Sequence, residues 1–180
     1  MRGKSLIPAI VFLVTLIGAN SLAEPQLRTP PANIIVSTII QLAGFEKKLS
    51  GNPAALVAYV IGDPEVGKEF EAALNTKIGK AKLKKVVMGE MMPSANPNMP
   101  YIPDILYVGD PLMVDKATKY ARMNKILSVT GHPILAPKGV TISIGLGEND
   151  KPVVLLNQVA SAAENHSWNP AIMKIAKIVK

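Results

Sequence analysis

Two stretches of the chain follow one plan: a short apolar run, then Gly-Asp-Pro, then apolar residues at helical spacing. The first is Ala54–Ile61 (AALVAYVI), Gly62-Asp63-Pro64, and a segment carrying Val66, Phe70, Ala73 and Leu74. The second is Asp104–Val108 (DILYV), Gly109-Asp110-Pro111, and a segment carrying Leu112, Val114, Ala117 and Tyr120. A short apolar run bounded by turn residues suits a strand buried on both faces. Asp is a good helix N-cap, and Pro is favoured at the first helical position. Two strand–helix units built alike demand parallel strands joined by crossovers. The fold class is therefore α/β: a single three-layer domain with a mostly parallel, Rossmann-like central sheet.

The other segments fit this frame. Glu24–Asn33 is a proline-rich extended lead-in, and Ile35, Ile39, Leu42 and Phe45 predict an amphipathic helix to about Leu49. Lys82–Met88 and Lys125–Thr130 read as two more strands, the latter closed by Gly131-His132-Pro133. Val140–Leu146 and Pro152–Leu156 flank Gly147–Lys151 and predict a β-hairpin, placed at one edge of the sheet. Asn157 starts a short helix to about Asn165. Asn169-Pro170 reads as cap plus first residue of a C-terminal helix with Ile172, Ile175, Ala176 and Val179 on one face.

Ahead of this domain, Arg2 and Lys4 precede a nearly continuous apolar run from Ser5 to Gly18, and small residues stand at Ser21 and Ala23. That layout is a secretory signal peptide, cut after Ala23. The run is short of the roughly 20 residues a spanning helix needs. The expected organisation is a signal peptide over 1–23, a lead-in over 24–33 and one domain over 34–180, with no membrane span after cleavage. Removing Arg2 and Lys4 lowers the formal charge from +7 to +5. Aromatics make up 4% of the chain and the remaining arginines are Arg28 and Arg122, which argues against a nucleic-acid surface. Lys77, Lys80, Lys82, Lys84 and Lys85 form the one basic cluster; it reads as a solvated strand edge, with an acidic partner as the other reading. Without cysteines there is no disulfide, thiolate metal site or Cys nucleophile.

No motif supplies a catalytic apparatus. Gly62–Lys68 has P-loop spacing, but Glu69 replaces the metal-binding Ser/Thr, Pro64 removes a backbone donor, and Asp63 and Glu65 repel phosphate. Gly145-Leu146-Gly147 lacks the third glycine and the helix of a dinucleotide fingerprint and reads as a hairpin turn. His132 reads as a turn residue and His166 as a surface residue, neither with metal-ligand spacing. No Gly-x-Ser-x-Gly occurs, and the acids sit at helix starts or in turns. These readings predict no enzyme, no cofactor and no metal. The odd segment is Gly89–Pro103, with four prolines and no period. Its Met91, Met92, Met99 and Tyr101 are either an adaptable partner-binding surface or a loop folded back on the sheet.

The ordered set of local patterns resembles the YfiR-like family of periplasmic proteins. The residues that carry the resemblance are Val60-Ile61-Gly62-Asp63, Ile105-Leu106-Tyr107-Val108, Ile126-Leu127-Ser128-Val129, Val154-Leu155-Leu156-Asn157 and Ile172-Met173-Lys174-Ile175-Ala176. Phe45-Glu46-Lys47 stands where members carry Trp-Pro, and the absence of cysteines excludes a redox-sensing role. The resemblance implies a periplasmic, often dimeric domain. The best understood member of that family restrains a membrane-bound diguanylate cyclase through its periplasmic part and so acts in cyclic-di-GMP signalling; sensors such as histidine kinases are the other partner type. The expectation is thus a non-enzymatic regulator or sensor of a membrane signalling protein. Its rivals are a small-ligand binding module with a deep pocket near Gly62 and Gly109, and a hydrolase for which no acid–base–nucleophile set is found.

Overall fold

The structure is a computed structural model and describes residues 27–51, 54–97 and 99–179. The expected signal peptide over 1–23 lies outside the described residues. In chain order the chain forms α1 (Ala32–Ala43), α2 (Lys47–Gly51), β1 (Ala55–Ile61), α3 (Pro64–Ala72), β2 (Lys77–Ile78), β3 (Ala81–Gly89), β4 (Ile105–Val108), α4 (Val114–Asn124), β5 (Leu127–Thr130), β6 (Ile142–Leu146), β7 (Pro152–Asn157), α5 (Gln158–Ala163) and β8 (Ala176–Val179). The strands make one sheet in the order β2-β3-β1-β4-β5-β6-β7-β8. The five strands from β3 to β6 are parallel, β7 runs antiparallel to β6, and β8 is parallel to β7. This is the expected α/β class with a mostly parallel sheet.

Side-chain alternation along the strands divides the core into two layers. Leu56, Ala58 and Val60 of β1, Ile105 and Tyr107 of β4 and Leu127 and Val129 of β5 pack with Ile35, Ile39 and Leu42 of α1 and Val66 and Phe70 of α3. On the other face, Tyr59 and Ile61 of β1 and Leu106 and Val108 of β4 pack with Val114, Ala117 and Ala121 of α4 and with Leu135. Both faces of the central strands are therefore buried, which is why they read as continuous apolar runs. Phe70 meets Tyr107 edge to face, with centroids 6.5 Å apart.

The β3-to-β4 connection crosses β1 without a helix. Residues 90–97 and 99–104 run over this part of the sheet, with a 3-10 turn at Pro93–Ala95. Met99 is buried, and Met92 packs against the same layer as α4. The loop is pinned by Tyr59, whose hydroxyl donates to Met91 O at 2.9 Å and accepts from Asn96 Nδ2 at 2.8 Å.

Three expectations are corrected. The first helix stops at Ala43, and α2 follows after a turn, because Glu46 leaves the helix to pair with Trp168. The C-terminal segment is not a helix: Pro170–Lys174 form a 3-10 turn and Ala176–Val179 form β8. A helix of this length gains little by itself, whereas the open edge of β7 offers a full ladder of hydrogen bonds. The hairpin β6–β7 is consequently not an edge, since β8 lies outside it.

Candidate functional site

With β2 set aside, the order of the first five strands reverses between β1 and β4, both of which leave in opposite directions along the sheet. In open α/β sheets, ligands bind outside the C-terminal ends of strands at such a switch point. Here both strands end in Gly-Asp-Pro, and the two turns face each other. A Cβ on Gly62 would lie 2.7 Å from the Asp110 Cβ, and a Cβ on Gly109 would lie 2.5 Å from the Asp63 Cβ. Gly62 also has φ +69°, a conformation that favours glycine. The glycines let the two turns interlock, so the crevice is filled by the chain itself.

The polar groups of these turns are also engaged. Asp63 Oδ1 accepts the Val66 N–H at 3.0 Å, and Oδ2 accepts the Tyr107 hydroxyl at 3.2 Å. Burial first, and then the charge of Asp63, push the Tyr107 hydroxyl far above its ordinary range. Asp110 Oδ1 accepts the Leu112 N–H at 2.9 Å. The strand end next door repeats the theme: His132 Nε2 lies 3.0 Å from Gly109 O, and the Thr130 hydroxyl donates to Val108 O at 2.7 Å. His132 is the turn residue expected. A recess of about 390 Å³ remains beside the switch point, lined by Val60, Gly62, Asp63, Pro64, Met88, Gly89 and Glu90.

Elsewhere the fold assembles a buried acidic cluster. Glu46, between α1 and α2, and Glu164, just after α5, are fully buried, and the His166 imidazole lies between them. Its Nδ1 is 3.6 Å from Glu46 Oε1 and its Nε2 is 3.7 Å from Glu164 Oε2. Glu46 accepts backbone N–H groups from Leu49 at 2.6 Å and Ser167 at 3.0 Å. Glu164 accepts the Ser128 hydroxyl at 2.5 Å, the Thr141 hydroxyl at 2.6 Å and the Ser128 N–H at 3.1 Å. Burial pushes the Glu46 carboxyl up, but His166 and the two N–H donors outweigh it and hold it below its ordinary value. Burial dominates at Glu164 and raises it despite its three donors. The His166 side chain is thus buried, not on the surface as its polar neighbours suggest. The expected reading failed because Glu46, 120 positions upstream, supplies the polar wall.

This cluster holds a serine, a histidine and two acids, yet it is not a nucleophilic triad. Ser128 is fully buried and donates to Glu164, not to His166. A nucleophile needs a base at hydrogen-bond reach and room for substrate. The arrangement fastens segments together instead. Glu164 ties α5 to β5 and to Thr141 ahead of β6, and Glu46 ties the α1–α2 turn to the C-terminal segment. Backbone pairs reinforce that seam, Lys47 N–H to Ser167 O at 2.8 Å and Asn169 N–H to Phe45 O at 2.7 Å. Among the described residues, no group of three His, Asp or Glu is arranged to hold a metal ion.

The four candidate loop residues divide into two pairs. Met99 is 5% exposed and Met92 packs on the sheet, whereas Met91 is 48% and Tyr101 37% exposed. The surface share of the loop falls to Met91, Tyr101 and their neighbour Ile102, 56% exposed. Burial of Met99 and partial burial of Met92 follow from the missing crossover helix, since unbranched methionine fills the irregular gap it leaves.

No family model and no curated protein matches the sequence. Among solved structures, the chain is similar to a conserved domain protein from Vibrio cholerae O1 biovar El Tor strain N16961, with TM-score 0.54 at 14% identity. The match covers 85% of this chain and 61% of that one, so this chain spans less than two thirds of the other's length. At that identity the likeness concerns the fold. Among the described residues, no helix is long and apolar enough to cross a membrane.

Proposed function

We propose that the protein is a periplasmic, non-enzymatic regulator or sensor that binds the periplasmic part of a membrane signalling protein, of diguanylate cyclase or histidine kinase type. The observation that carries this reading is the interlocked pair of Gly-Asp-Pro turns. A sheet of this order would ordinarily take a cofactor or substrate at its switch point, and this chain spends that place on its own packing. The buried carboxylates of Glu46 and Glu164 are likewise engaged in holding segments together. What the domain offers outward is surface: Leu112 and Ile134 stand 89% and 60% exposed just past the ends of adjacent strands β4 and β5. Isolated exposed aliphatics are common, but two at neighbouring strand ends suit a protein contact. The charge–apolar–small layout of residues 1–23 supports the compartment.

The test is a photo-crosslinking amino acid placed at Leu112 or Ile134 in the native host. The expected result is a crosslink to a membrane protein with a periplasmic part, and altered cyclic-di-GMP or phosphorylation output on deleting the gene. A crosslink-free protein whose deletion leaves both outputs unchanged would overturn the proposal. The second reading, a small-ligand binding module feeding a transporter or sensor, is favoured by the recess of about 390 Å³ beside Gly62. It predicts that a low-molecular-weight compound co-purifies and is lost when Met88→Trp fills the recess.

A further inference from the structure

The edge formed by β2 and β3 is unusually basic for its shape. In the antiparallel β2–β3 pair, Lys77 stands directly opposite Lys82. Like charges in that position oppose pairing. On the other side of β3 the register to β1 slips: Leu56 faces Leu83 but Val57 faces Lys85, so Lys84 is an extra residue. Such a bulge interrupts the in–out alternation, and Lys84 and Lys85 are both exposed. Lys80, Lys82 and Lys84 line one open recess of about 300 Å³ with Ala54 and Ala55. None of Lys77, Lys80, Lys82, Lys84 and Lys85 makes an ion pair with another described residue. Lys84 Nζ donates to Asn75 Oδ1 at 2.8 Å, a neutral partner.

This patch continues into apolar surface. Lys85 Nζ sits 4.8 Å from the centre of the Tyr101 ring, and Ile102 follows, more than half exposed. Charge alone is accounted for by protection of a sheet edge. Protection does not account for an exposed tyrosine and isoleucine placed against the charge, since they add the stickiness that lysines are there to prevent.

We propose that the Lys77–Lys85 edge, with Tyr101 and Ile102, is a docking surface for an anionic phospholipid membrane. Five lysines and no arginine present compact hydrated charges, which suit a diffuse anionic surface; recognition of individual carboxylates favours the arginine fork. Tyr101 and Ile102 supply the amphipathic and aliphatic side chains that settle at headgroup level. Docking of this kind would hold the domain beside a membrane partner whatever that partner is, so the inference goes beyond the proposed function.

The full chain is mixed with vesicles of pure phosphatidylcholine, or of equal parts phosphatidylcholine and phosphatidylglycerol, and pelleted. Binding is expected on the anionic vesicles, released by salt. It should weaken by about 25-fold in Lys82→Gln/Lys84→Gln, at about a factor of five per lysine near the surface, and weaken in Ile102→Ser. These exposed substitutions should each shift the melting temperature only slightly, since the relief of the Lys77–Lys82 repulsion and the loss of the Lys84–Asn75 hydrogen bond are both small. Hydrogen exchange locates the contact: residues 77–85 and 99–102 gain protection on anionic vesicles. Equal binding of the double variant and the parent, or protection confined to residues 1–23, overturns the proposal. Retention on poly-glutamate with no preference for anionic vesicles overturns it too, and assigns the patch to an acidic protein.

Discussion

Replacing Met99 by alanine is expected to lower stability by about 2–3 kcal/mol, the lower half of the range for truncating a buried methionine. The side chain is 5% exposed and belongs to the layer that includes Tyr59, Leu106 and Val114, on a stretch with no helix above it. Truncation leaves a cavity under the loop, which is held at Tyr59 by two hydrogen bonds and at Val57 by two more through Asp104, but carries no regular secondary structure over Met99 and can settle there. Partial collapse places the loss below the extreme values. For a domain of this size each kcal/mol moves the melting temperature by about 2–4 °C, so a drop of about 4–12 °C is expected. Met91→Ala, at an exposed position on the same loop, serves as control and should change stability by no more than about 0.5 kcal/mol. Urea unfolding followed by circular dichroism measures both. A Met99→Ala protein as stable as the parent would refute the claim that the loop substitutes for a crossover helix.

The acidic cluster makes stability depend on pH in two opposed ways. Glu46, held below its ordinary value of 4.5, contributes stability that is present above that pH and lost as the pH falls below it; Glu46→Gln should flatten the acid limb of a plot of melting temperature against pH. Glu164 is raised above 4.5, so its burial cost is absent at lower pH and grows as the pH rises toward its folded value; Glu164→Gln should remove that decline, and an unchanged profile in either variant would contradict the assigned direction. Gly62→Ala meets both a φ of +69° and the Asp110 side chain, and should cost about 1–3 kcal/mol in urea unfolding, whereas a neutral result would mean the two turns do not interlock. Calorimetry with ATP or GTP and magnesium should show no binding, because Asp63 already occupies the N-terminus of α3; micromolar affinity abolished by Lys68→Ala would disprove it.

The sequence by itself determined the strands of the parallel sheet and the starts of α3 and α5, whereas α1 begins without a side-chain cap and Asp110-Pro111 open a 3-10 turn ahead of α4. Local chemistry suffices there. An apolar run such as Ala54–Ile61 is stable only with both faces covered, and Asp63, Asn157 and Asn169 cap the segments after them with their own side chains. The tertiary structure decided whatever depends on distant partners. Ile172, Ile175, Ala176 and Val179 have helical spacing, yet the unpaired edge of β7 turned the last four residues of that stretch into β8. Glu46, Glu164 and His166 carry no spacing signal, since the cluster exists only because the α1–α2 turn pairs with the segment around Trp168. Gly62 and Gly109 each look like an ordinary turn glycine. Only the adjacency of β1 and β4 sets each against the other's aspartate and closes the crevice that their pattern would otherwise have opened.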